Sequence, residues 1–180
     1  MADDTTLGAA LNDEGKRLIV DSTYTGRGHQ AAGERWAVYN NWLGLPTAVA
    51  STLLAGGAGV SAVTESRPGF TAGLAFGAAI LSAAHGFLRP AERAEKHSLK
   101  GNRFIALRNE ARLFREIDLR SNLDKDDLTA RLTDLRKRYV DLNETPPLHI
   151  PRRDHETAKR GIEAGESSYE NDPIWKELSG

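Results

Sequence analysis

The sequence predicts an all-α membrane protein, a two-helix transmembrane hairpin with cytosolic helices before and after it. Three observations predict it. No charged residue falls between Arg35 and Glu65, and none between Pro68 and Leu88. Only Glu65, Ser66 and Arg67 separate these two runs, which makes a short polar tip. From Pro90 onward apolar residues return at the three–four spacing of amphipathic helices, with no convincing strand pattern. Each run holds a stretch of about 20 residues, and at roughly 1.5 Å rise per residue that matches the ~30 Å of a hydrocarbon layer.

The four regions expected are an N-terminal cytosolic arm and helix (1–41), the hairpin (42–88, with spans of about 42–64 and 68–88), a cytosolic helical domain (89–165) and an acidic C-terminal tail (166–180). In the arm, Leu7, Ala9, Ala10, Leu11 and Leu18-Ile19-Val20 give a short helix or a frayed arm, while Gly26 and Gly28 delay a firm helix start. From His29 a helix-competent run leads to Trp36, Tyr39 and Trp42, spaced by three, where aromatic side chains favour a membrane interface. Packing of the same aromatics against the other helices is the competing reading.

The first span carries small residues in two rows, Gly44, Ala48, Thr52, Gly56 and Thr47, Ser51, Ala55, Gly59. The second repeats the device with Gly69, Gly73 and Gly77 in consecutive G-x-x-x-G steps and Ala75, Ala79 and Ala83 beside them. Such rows let helix backbones approach closely, so a homo-oligomer in the lipid bilayer is expected. Arg89, Arg93, Lys96, Lys100 and Arg103 follow the second span, against Arg67 alone at the tip. The positive-inside bias therefore places both termini in the cytosol of a multi-pass protein of the bacterial cytoplasmic (inner) membrane.

Beyond the hairpin, Phe104, Leu107, Ala111, Phe114 and Ile117 form one apolar stripe, and Leu128, Leu132, Leu135, Tyr139 and Leu142 a second. Asp124 to Asp127 supply negative charge at the start of the second of these helices. Thr145-Pro146-Pro147 ends it, Pro151 breaks the chain again, and an amphipathic stretch of about Arg153 to Ala164 stops at Gly165. Ile174, Trp175 and Leu178 are the apolar anchors of the tail and suit docking onto the helices.

Chemistry is sparse. The 180 residues contain no cysteine, which excludes disulfides and thiolate metal sites, and the net charge of −1 gives no overall pull toward a nucleic acid polymer. The mean hydropathy of −0.47 averages over a sharp segregation of charge and is uninformative. No phosphate loop, H-E-x-x-H pair or G-x-S-x-G elbow occurs, and His29, His85, His97, His149 and His155 show no metal-ligand spacing. No enzyme, metal or cofactor is expected. His85, with Ser51 and Thr52, is the candidate for a pore region, against a plain reading in which each bonds a nearby backbone carbonyl. Arg136, Arg138, Arg152 and Arg153 are candidate contacts for an anionic ligand, although interleaved carboxylates favour a solvated, ion-paired face.

The stretch His29-Gln-Ala-Ala-Gly-Glu-Arg-Trp-Ala-Val-Tyr-Asn-Asn-Trp-Leu-Gly-Leu-Pro46, with the small-residue span after it, resembles the start of a SLATT domain. This is the SMODS- and SLOG-associated two-transmembrane effector family. Leu88-Arg-Pro-Ala-Glu-Arg-Ala-Glu-Lys-His97 and Phe104-Ile-Ala-Leu-Arg continue the likeness, which covers about residues 24–145. The resemblance implies a membrane effector of a bacterial anti-phage defence system. Such an effector would oligomerise to form a pore or disrupt the cytoplasmic membrane, causing abortive infection, with a cyclic oligonucleotide from an associated nucleotidyltransferase as trigger. It supplies no catalytic residues, and no appended SLOG-type sensor is expected. The alternatives are a membrane-anchored scaffold that recruits a cytosolic partner without conduction, and a helical bundle that buries the hairpin at its centre.

Overall fold

The computed structural model describes residues 2–55, 68–145 and 147–166. Every regular element among them is helical: α1 (Ala2–Ala55), α2 (Pro68–Leu88), α3 (Pro90–Glu116), a 3-10 turn (Asp118–Arg120), α4 (Lys125–Glu144) and α5 (Arg152–Glu163). These fall into two units, one within Met1–Ala32 and His97–Gly180, the other within Gly33–Lys96.

The first unit has a continuous apolar core. Leu11, Leu18 and Ile19 of α1 meet Leu107, Ala111 and Phe114 of α3 and Leu128, Leu132 and Leu135 of α4, with Leu119, Tyr139 and Leu142 partly buried at its margin. Both stripes expected from spacing therefore face inward, except that Ile117 is exposed. The reason is local. Helix α3 ends at Glu116, and Ile117 leaves its period to precede the 3-10 turn. Asp124 caps α4 by accepting a hydrogen bond from the Lys125 amide at 2.8 Å. Pro151 sits at the N-cap of α5, and Gly165, with φ of 89°, reverses the chain after it as only glycine does cheaply.

Helix α1 departs from expectation. Gly26 and Gly28 do not delay its start, because it already runs unbroken from Ala2. Glycine inside a helix costs about 1 kcal/mol relative to alanine, and here the cost is offset by close packing. A Cβ on Gly101 of α3 would lie 2.9 Å from the Gly26 carbonyl oxygen of α1, and one on Gly26 would lie 3.1 Å from the Phe104 Cβ. The two backbones cross where neither residue has a side chain.

The second unit is built from α1 beyond Gly33, α2 and the first turns of α3. Its described buried side chains are small, namely Ala50 and Pro90. Trp36 packs edge-on against Tyr39 at 5.6 Å and lies under the guanidinium of Arg93 at 4.8 Å, so it serves as a cation–π platform. Arg89, between α2 and α3, has φ of 44°, a strained value for a side-chain-bearing residue. Its amide still donates to the His85 carbonyl at 3.0 Å, which fixes the joint.

The expected membrane topology is corrected here. Among the described residues no helix is long and apolar enough to cross a membrane. That finding overturns the assignment to the bacterial inner membrane as a multi-pass protein with cytosolic termini, and leaves the transmembrane hairpin without support. The first segment is helical to Ala55, and the rest of its expected length lies outside the described residues. In the second, Gly69, Thr71, Gly73, Gly77, Ser82, His85 and Gly86 dilute the apolar content of a helix of sufficient length. Absence of charge measured the first criterion for a span and missed the second. Gly56, Gly59, the Glu65-Ser66-Arg67 tip and Ile174, Trp175 and Leu178 lie outside the described residues.

Candidate functional site

The feature that calls for a function is an unpartnered apolar surface on the second unit. On α1, Val38, Trp42, Leu45 and Val49 are all exposed, Trp42 by 74%. Their spacing of four, three, four confines them to one stripe, the arrangement that seats against another helix. On α2, Phe76, Ile80 and Phe87 are exposed, Phe87 by 83%, again on one stripe with Ala83 between them. Scattered exposed hydrophobics are ordinary in proteins, but seven large ones in two helical stripes within one unit are not.

The residues singled out from sequence fall into three groups around this surface. Gly44 and His85 are brought together, since a Cβ on Gly44 would lie 3.3 Å from His85 Cε1, so this glycine is where α1 and α2 touch. His85 is half-buried in that contact. Among the described residues Gly69, Gly73 and Gly77 meet nothing within 4 Å, so the G-x-x-x-G row is bare there. Ser51 and Thr52 are exposed, and the Thr52 hydroxyl donates to the Ala48 carbonyl at 2.9 Å, the self-satisfying arrangement.

The four arginines each have a carboxylate beside them. Arg138 grips Glu110 through both terminal nitrogens, with Nη2 to Oε1 at 2.8 Å, an arrangement that holds the Glu110 carboxyl below its usual range and raises the arginine. Arg136 lies 3.4 Å from Glu14 and 3.5 Å from Asp21 of α1, tying α4 to α1. Arg152 pairs with Glu156 at 2.9 Å and Arg153 with Asp154 at 3.8 Å. An anionic ligand would have to compete with all of these carboxylates.

Sequence reasoning missed one cluster altogether. His29 of α1 and His97 of α3, 68 positions apart, bring their Nδ1 atoms to 3.0 Å in the first unit. Both are buried, and Phe104 stacks on His29 with ring centroids 5.9 Å apart. Lys100, also buried, donates through Nζ to the Asn143 carbonyl at 3.3 Å. Burial lowers the Lys100 ammonium below its ordinary value. Burial, followed by the charges of His97, Lys100 and His155, lowers His29 from 6.5 to about 3. No spacing rule could have paired these rings, because the contact is made by helix packing alone. Among the described residues there is no group of three or more histidine, cysteine or carboxylate side chains able to hold a metal ion.

A cleft of about 480 Å³ in the first unit has a leucine floor, Leu7, Leu11, Leu119, Leu123 and Leu128. At its edge Arg115 is held by Asn12 at 3.0 Å. Glu116, Arg120 and Lys125 supply the charged part of its lining.

Comparison of the chain with family models, curated proteins and solved structures finds no match. The likeness to SLATT domains therefore rests on the residues quoted above.

Proposed function

We propose that this chain is a self-assembling helical interaction protein, whose second unit binds sister copies through the stripes Val38–Trp42–Leu45–Val49 and Phe76–Ile80–Phe87. The observation that carries the reading is the exposure of these seven side chains. Aromatic residues bury about 150–250 Å² each when covered, so Trp42, Phe76 and Phe87 with their four aliphatic neighbours offer on the order of 800 Å² per copy. That is about what each partner contributes to a standard stable interface. The bare glycine row of α2 would allow close backbone approach between copies.

In the setting that the SLATT-like pattern implies, a bacterial defence effector, assembly is the activating step, with no membrane-crossing hairpin required. The compact first unit would carry the contacts that report a signal. Recruitment of a different protein by the same stripes is the rival, and the two differ in stoichiometry. Sedimentation of the full chain at micromolar concentration is expected to give a homo-oligomer. The double substitution Leu45→Asp with Phe76→Asp is expected to give a monomer with unchanged helical content, because both positions are exposed. A wild-type chain that stays monomeric across this range would remove the reading.

A further inference from the structure

The leucine-floored cleft of the first unit has no part in that assembly surface, and its lining describes a ligand. At about 480 Å³ it falls in the size range of small-molecule sites, about 300–1,000 Å³. Its apolar part is shared between α1, the 3-10 turn and the start of α4. Leu11 and Leu128 are buried there, while Leu7 and Leu123 stay exposed by 38% and 42%. Leucine side chains offer an occupant close packing and the release of water, but no hydrogen bond. What covers them is therefore hydrocarbon.

The charge around this apolar patch is mostly positive. Arg115, in the last turn of α3, is held in place twice. Asn12 accepts from its Nε at 3.0 Å, and its stem lies against α1 where Gly15 has no side chain, since a Cβ there would fall 2.9 Å from Arg115 Cγ. The two terminal nitrogens are left over. Arg120 is exposed, and Lys125, the first residue of α4, adds a third cation to the lining. Among the described residues neither arginine is paired with a carboxylate, in contrast to Arg131, Arg136, Arg138 and Arg152. Glu116, the carboxylate of the lining, is turned to Arg112 at 3.4 Å, and Asp124 caps α4 through the Lys125 amide at 2.8 Å.

We propose that this cleft binds a single-chain anionic amphiphile of the fatty-acid class, with its hydrocarbon over the leucines and its carboxylate among Arg115, Arg120 and Lys125. A guanidinium holds a carboxylate through two parallel hydrogen bonds, and an arginine already fixed by Asn12 and Gly15 loses little freedom in doing so. The occupant is a monomer taken from solution rather than a bilayer surface, because Leu11 and Leu128 are reached only from inside the recess. The tail carries related chemistry in covalent form, with Glu170, Asp172 and Glu177 around Ile174, Trp175 and Leu178, and is the competing occupant. The cleft and the stripes of the second unit share no residue, so failure of either reading leaves the other standing.

The probe is dodecanoate, titrated below its micellar concentration into the full chain with carbon-13-labelled leucine methyls. One equivalent is expected to bind and to shift the methyls of Leu7, Leu11, Leu119 and Leu128. From octanoate to dodecanoate the affinity should rise about fourfold per added methylene. Dodecyltrimethylammonium, with the same chain and the opposite charge, should bind at least about tenfold more weakly. Arg115→Gln with Arg120→Gln should lower dodecanoate affinity by about tenfold or more and leave dodecanol within about twofold, at unchanged helical signal. Arg120→Gln alone, at an exposed position, gives the same direction should the double variant fail to fold. Gly8→Phe adds a ring to the cleft wall where a Cβ meets nothing within 4 Å, and should weaken dodecanoate and dodecanol alike. No binding, equal affinity for the two headgroup charges, or indifference to Gly8→Phe would overturn the proposal. So would shifts at the exposed Leu45 of the second unit in place of the cleft leucines, or binding that appears only with Trp175→Ser, which would give the cleft to the tail.

Discussion

The two units use most of their helical glycines in opposite ways. In the first, Gly26 and Gly101 let α1 and α3 cross backbone to backbone and Gly28 receives Ile150, with Gly8 the exception that meets nothing within 4 Å. In the second, Gly44 meets His85, but Gly69, Gly73, Gly77 and Gly86 meet nothing within 4 Å among the described residues. Aromatic residues divide in the same manner. Phe104 and Phe114 are wholly buried, while Phe76 and Phe87 lie open. A glycine in a helix weakens it unless something fills the space it leaves. Among the described residues the first unit buries its large apolar side chains, whereas the second leaves most of its own exposed.

The largest test of this contrast is a pair of phenylalanine truncations. Phe114→Ala should cost about 3–5 kcal/mol in denaturant unfolding, the range for emptying a packed core. Phe76→Ala should change the stability of the dilute monomer by less than about 0.5 kcal/mol. Equal losses would mean that the second unit has a core of its own that includes Phe76. A smaller effect is expected at Gly101→Ala, which drives a methyl against the Gly26 carbonyl, a backbone atom that cannot swing aside. Overpacking of that kind costs about 1–3 kcal/mol. Smallest, and opposite in sign, is Gly73→Ala. With open space around it, the methyl should stabilise α2 by up to about 1 kcal/mol through helix propensity. If assembly proceeds through the glycine row, the same change should weaken the oligomer measured by sedimentation, which separates the row from the large apolar stripes.

Much of the first unit was legible in sequence because its signals are local. The stripes of α3 and α4, the negative charge of Asp124 to Asp127 at the start of α4, the Pro151 start of α5 and the Gly165 reversal each involve residues within a turn or two of one another. Reading α1 as interrupted at Gly26 and Gly28 failed for the converse reason. Intrinsic propensity counts the cost of a glycine and ignores the partner helix that recovers it. The hairpin failed on composition: freedom from charge was taken as fitness for lipid, yet Gly, Thr, Ser and His85 supply little transfer free energy. The arginines were legible only in part: Asp154, interleaved in sequence, pairs with Arg153, whereas Arg138 takes Glu110 from another helix, 28 positions away.

By itself the sequence determined that this protein is helical, where most of the helices after Pro90 begin and end, and which face of α3 and α4 is apolar, because periodicity and capping are short-range physics. Only the tertiary structure decided that His29 meets His97, that Gly26 lies across from Gly101, and that the stripes of Trp42 and Phe76 are exposed among the described residues. Those are contacts, or missing contacts, between residues far apart in sequence, and no local pattern specifies which helix arrives at which face.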